Sequence, residues 1–180
     1  MALGREHAPC DSSQRFTDAR MEGAEVEEAF MGGVLVAGLS AWLMLASQER
    51  APANESLAMM AHWRCQVWAG MAGDEGAAKA HYDRGYASGS RFVAAARAGQ
   101  IEPADFDAIV PIYISLSMAG PSDDFVLGRL YEITTEDAFD RVVKRDSNNG
   151  LRAPSDYLMD REVRAIVAGE LFRSSNCAAL

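Results

Sequence analysis

From Glu55 to Ala72 the apolar residues Leu57, Ala61, Cys65, Trp68 and Ala72 recur at helical spacing, and Met60, Trp63, Val67 and Met71 widen the stripe. A helix apolar over so much of its circumference belongs at the centre of a fold. Ala51-Pro52-Ala53 reads as linker, Asn54 as the helix cap and Gly73 as its end. Asp74 caps a second helix that runs to about Ala98. Along it Ala78, Tyr82, Gly85, Gly89, Phe92 and Ala96 fall four and three residues apart on one face. Two glycines inside a helix, Gly85 and Gly89, together cost about 1–2 kcal/mol against alanine. The compensation expected is another backbone packed close; a ligand approaching there is the alternative.

Gly99 closes this helix, and Pro103 opens a short one through Ile109. Pro111 breaks the chain again, and the β-branched, apolar stretch to Met118 predicts a buried helix starting at that proline. Gly120-Pro121 is a turn. Ser122 caps the next helix, with Asp123 and Asp124 in its first turn, where the helix dipole favours negative charge. Val126, Leu127, Leu130 and Ile133 face inward, and Thr134 or Thr135 marks a break before Glu136–Arg145. The polar run Ser147-Asn148-Asn149-Gly150 sits in a loop. Ser155 then caps a last helix that runs through Val163, Ile166, Val167 and Leu171 to about Phe172. Strand-like alternation is nearly absent. The expectation is an all-α protein, a single bundle of about five helices within residues 54–180.

The first fifty residues break this pattern. No charged residue occurs between Ala29 and Gln48. The run 30–46 fits three roles: the core of a secretory signal, an uncleaved membrane anchor, or a buried helix. Gly32, Gly33 and Gly38 weigh against the helix. Glu22, Glu25, Glu27 and Glu28 stand where a signal carries basic residues, which a start at Met31 would remove. The organisation expected is therefore 1–29 disordered or absent from the mature protein, 30–46 signal-like or anchoring, 47–53 linker, and 54–180 helical domain.

The formal net charge of −9 sets this chain against phosphate backbones, so nucleic acid is not an expected partner. The densest basic stretch, Lys144-Arg145, is flanked by Asp140 and Asp146 and reads as a solvated helix end.

Three cysteines are present, Cys10, Cys65 and Cys177. Removing the leader leaves two, which permits either one bridge or two buried free thiols. A bridge would place the chain in an oxidising compartment.

Chemistry is sparse. His7 and Cys10 are half a metal site with no second half, so neither a metal nor a cofactor is expected. His62 and His81 lie on different helices outside any HExxH arrangement, and His81 reads as a surface residue. Asp123, Asp124 and Glu132 are the carboxylates available for acid–base work, but capping already accounts for the first two. Arg129, on a mostly apolar helix, reads as paired with Asp123 or Asp124. Trp63 and Trp68 read as core.

Four stretches carry a resemblance: Trp63-Arg64-Cys65; His81-Tyr82-x-x-Gly85-Tyr86-x-x-Gly89; Gly120-Pro121-Ser122-Asp123-Asp124-Phe125-Val126-Leu127-Gly128-Arg129; and Ser175-Asn176-Cys177. In these, over roughly residues 55–178, the chain resembles a family of small uncharacterised proteins of Gram-negative bacteria. The resemblance implies export and a Cys65–Cys177 bridge, and it implies no known activity. The chain departs from the family in its extended, acidic N-terminus. The residues singled out as a binding or structural motif are Tyr82, Gly85, Gly89, Asp124, Phe125, Gly128 and Arg129.

The function expected is that of a non-enzymatic, periplasmic or secreted protein of the cell envelope that binds or inhibits another protein, an immunity-type role being one version. A hydrolase using Asp124 and Glu132, with His81, is the first alternative. A structural subunit anchored in the membrane through residues 30–46 is the second.

Overall fold

The structure, a computed structural model, describes residues 51–180. The apolar run 30–46, the acidic segment before it, and Cys10 lie outside the described residues. Six α-helices follow in order: α1 Ala51–Ala72, α2 Glu75–Arg97, α3 Pro103–Ile109, α4 Ile112–Ser117, α5 Asp123–Val143 and α6 Arg161–Ser174. Among the described residues there is no strand, only one isolated bridge between Arg145 and Leu151. The all-α expectation holds, with one more helix than the five anticipated.

The central position read for α1 is what forms. It packs along α2 and also against α3, α5 and α6. Its apolar circumference divides between two clusters. Met59, Met60 and Trp63 join Phe92 and Val93 of α2, Ile114 of α4, and Val126 and Leu130 of α5. Further along α1, Cys65 and Trp68 join Ala138 and Val142 of α5, Ala168 of α6, and Cys177. The two tryptophans are core residues, as expected, and the Trp68 indole donates to the Ala138 carbonyl at 3.1 Å.

Cys65 and Cys177 are joined by a disulfide across 112 residues. This ties the first described helix to the C-terminal tail and excludes the free-thiol alternative. Asn176 adopts a left-handed backbone conformation with φ of 56°, which turns the chain so that Cys177 enters the core.

Helix ends follow local chemistry where side chains reach them. Asp74 accepts from Ala77 N and Ser122 from Phe125 N, each satisfying an orphan donor of the first turn. Gly73 and Gly99 stop their helices with φ of 89° and 65°, conformations that cost other residues most.

Several expectations are corrected. Residues 51–53 are helical rather than linker, Ala53 is buried, and Asn54 lies inside the helix rather than capping it. Leu57 faces solvent. The stretch after Pro111 is helical but only half-buried: Ile114 is in the core, whereas Ile112 and Leu116 are exposed. No break occurs at Thr134 or Thr135. Thr134 is buried, and the Thr135 hydroxyl donates to the Tyr131 carbonyl at 2.8 Å, so it is satisfied without leaving the helix. Ser155 does not cap α6. Leu158 N donates to Val143 O, which holds that segment extended against the end of α5, and Asp160 becomes the cap, accepting from Glu162 N and Val163 N. Along α6 Val163 and Ile166 are exposed, and Ala168 is the buried residue.

Candidate functional site

Gly85 lets α2 approach α1 so closely that a Cβ there would sit 2.4 Å from the Trp63 ring. At Gly89 the same virtual atom meets Leu127 at 2.9 Å and Met59 at 3.0 Å. Close packing, not a ligand, therefore occupies both glycines. It draws Trp63 into the angle between α2 and α5, and a groove of about 340 Å³ opens beside it.

Three helices line this groove. Tyr82 and Tyr86, one turn apart on α2, form one wall with near-parallel rings 6.3 Å apart. Tyr82 is 41% exposed. Tyr131 of α5 stands edge-on to both Tyr82 and Trp63, at 5.7 Å and 5.3 Å between centroids. Its hydroxyl is held by Gln66 of α1 at 3.2 Å. Asp124, Leu127 and Gly128 of α5 complete the opposite side. A Cβ at Gly128 would meet nothing within 4 Å, so this glycine leaves room rather than closing on a neighbour.

The electrostatics of the groove rest on Asp124. It is exposed and has no ion pair among the described residues. Its neighbour Asp123 binds Arg97 at 2.8 Å. The indole N–H of Trp63 is buried without a hydrogen-bond partner. The site therefore offers aromatic faces and one uncompensated carboxylate.

Of the residues singled out from sequence, Tyr82, Asp124 and Gly128 come together here, and Gly85 and Gly89 set the helix spacing behind them. Phe125 and Arg129 lie outside the groove. Arg129 stacks over the Phe125 ring at 5.9 Å and donates to the Ala119 carbonyl at 2.8 Å, so it pairs with neither Asp123 nor Asp124. Trp63, Tyr86, Leu127 and Tyr131 are lining residues the sequence did not assign to a site. The available signal was spacing: Asp124, Gly128 and Tyr131 fall at i, i+4 and i+7 on one helix face.

Asp124 and Glu132 stand eight residues apart on one helix, about 12 Å along its axis, so they form no close acid–base pair. His81 is elsewhere. Rather than lying on the surface it is only 5% exposed, with its Nδ1 3.1 Å from Nδ1 of His62 and its ring against Phe172. One ring must donate and the other accept, so the contact requires at least one neutral imidazole. Burial lowers both histidines from their ordinary value of 6.5; His81 and Arg84 add to this at His62, where Glu55 opposes it, and Arg84 adds to it at His81.

A group held neutral in the fold loses stability when it is forced to charge. The unfolded chain binds protons at pH 6.5 more readily than the folded one. Stability is therefore fully present above about pH 6.5 and falls as pH drops through the lowered folded values. Glu55, held below its ordinary 4.5 mainly by its hydrogen bond from Arg91, acts in a lower window. Melting temperature against pH should decline from pH 7 to 5 in the native protein, and His62→Gln should flatten that limb. A native profile level across this range would contradict the assignment.

Among the described residues no group of three or more His, Cys, Asp or Glu side chains could hold a metal ion, and no helix is long and apolar enough to cross a membrane. The chain matches no family model, no curated protein and no solved structure.

Proposed function

We propose that this chain is an exported, non-enzymatic binding protein of the cell envelope, inhibitory or immunity-type in role, and that the groove of Tyr82, Tyr86, Tyr131 and Asp124 receives a basic side chain of a partner protein. The observation that carries this reading is the unpaired Asp124 carboxylate beside a wall of tyrosine rings. A cation placed there gains from the ring faces and from the carboxylate together. Residues 47–180, with 14 Lys and Arg against 19 Asp and Glu, are net acidic and steer basic partners toward the surface. Export is supported by the Cys65–Cys177 bridge, which persists in oxidising compartments.

A photo-crosslinking residue at position 128 tests this in cells, with the same residue at exposed Ile112 as control. A discrete protein adduct is expected from position 128 and not from 112. Purified partner should bind Asp124→Asn about tenfold more weakly, as expected for loss of one charge-assisted contact. Equal affinity for native protein and Asp124→Asn would remove the reading.

A further inference from the structure

A cluster of positive charge lies near the opposite end of α5. Arg141 lies in the last turn of that helix, Arg145 follows just past its cap in the bridge to Leu151, and Arg64 reaches the same place from α1. With Ser174 and Ser175 at the end of α6 they line a groove of about 360 Å³. Arg152 extends this basic lining into an adjoining depression that shares Arg141, Arg145 and Ser174. The sequence reads Lys144-Arg145 as a solvated helix end; Arg64, which joins Arg141 and Arg145 here, comes from a helix far away in the chain.

The charges here are poorly compensated. Arg64 binds Asp137 at 3.0 Å. Arg141 donates to the side-chain oxygen of Asn149, Arg145 to the Asn149 carbonyl at 3.1 Å, and Arg152 to the Arg145 carbonyl at 3.0 Å. Those last three acceptors are neutral. None of the three arginines forms an ion pair among the described residues. Asp146 and Glu170 line the adjoining depression, where Asp146 accepts from Asn148 N and Gly150 N. The first groove thus holds three guanidinium groups against the single carboxylate of Asp137. In addition, Nε of Arg64 is buried without a hydrogen-bond partner, a donor with no acceptor in the protein.

We propose that this groove binds a phosphoryl group. Planar guanidinium donors match the paired oxygens of such a group, and the Ser175 hydroxyl provides a further neutral donor, whereas that of Ser174 is given to the Leu171 carbonyl. The group is carried by a small molecule or displayed on a lipid headgroup; these share the same chemistry. An extended polyanion is disfavoured, because the protein beyond this groove is acidic, whereas a compact group feels mainly the charges within about 8 Å of it at physiological salt. The site is separate from the tyrosine groove and does not depend on it.

The test uses the full chain with its bridge intact. Inorganic phosphate is titrated while the arginine Nε–H resonances are followed by NMR. Saturable shifts of Arg64, Arg141 and Arg145 are expected. Arg141→Gln combined with Arg145→Gln should weaken binding by about tenfold or more, with Lys at both positions intermediate, because charge remains but the fork is lost. Asp124→Asn should bind phosphate as the native protein does. An unchanged melting temperature shows that the variants are folded, and the lysine variant serves if the glutamine pair is not. Cosedimentation with vesicles containing phosphatidic acid, against phosphatidylcholine alone, separates the sources. Arginine-dependent binding to the acidic vesicles identifies a lipid headgroup; arginine-dependent binding of free phosphate alone identifies a soluble ester. Non-saturating shifts without vesicle binding, or affinity indifferent to both arginine variants, would overturn the proposal.

Discussion

Replacing Cys177 with alanine is expected to lower the midpoint of thermal unfolding by about 10–20 °C. The bridge closes a loop of 112 residues, for which the chain-entropy argument gives about 4–5 kcal/mol. In a domain of this size each kcal/mol shifts the midpoint by several degrees. Alanine suits the test better than serine, since both sulfurs lie in an apolar cluster where a hydroxyl would add its own desolvation cost. Cys65→Ala, the double variant and the reduced native protein should all melt close to Cys177→Ala, because each removes the same constraint. Calorimetry on these four samples decides the matter. A loss below about 1 kcal/mol would mean that the unfolded chain is already held compact by other contacts.

Trp63→Ala should cost about 3–5 kcal/mol, the usual penalty for emptying a large aromatic site in a core. Gly85→Ala tests the same contact from the other side, and two effects oppose each other. Alanine is favoured over glycine inside a helix by about 1 kcal/mol. Against this, its methyl would lie 2.4 Å from a ring that Tyr131 backs edge-on, and forced overpacking costs about 1–3 kcal/mol. The clash should win, leaving Gly85→Ala destabilised by roughly 1 kcal/mol. In the Trp63→Ala background the methyl has room, so the sign should reverse. Gly128→Ala supplies the control: it meets nothing, and should gain about 1 kcal/mol while narrowing the tyrosine groove. Denaturant unfolding of these four variants measures all of this, and a Gly85→Ala effect identical in both backgrounds would show that the glycine serves something other than the indole.

These two contacts mark what could be read from the chain by itself. Helix identity and several caps are local matters: Asp74, Ser122, Gly73 and Gly99 act on backbone groups a few residues away, and their chemistry is visible in order along the sequence. The facing of a helix is also legible when it is apolar all round, as α1 is. It fails where a short helix has a choice. On α6 the larger Val163 and Ile166 are exposed, and the small Ala168 is the residue packed in the core. The cap at Asp160 was hidden because one tertiary hydrogen bond, from Leu158 to Val143, delays the helix past a serine that would otherwise suit. The sites were least visible. His62 and His81 are nineteen residues apart and meet only because α1 and α2 pack antiparallel through Gly85 and Gly89. Asp124 meets Tyr82 and Trp63, and Arg141 meets Arg64, only because α5 packs against α1 and α2.

The Cys65–Cys177 bond has one more consequence. It makes the chain between those residues a covalent ring, and the exposed turn Ser147–Gly150, a natural target for proteases, lies on its circumference. A single cut there opens the ring but releases no fragment. In a protease-rich surrounding the protein can be nicked at this exposed turn and still persist as one molecule, its two halves held together by the bridge.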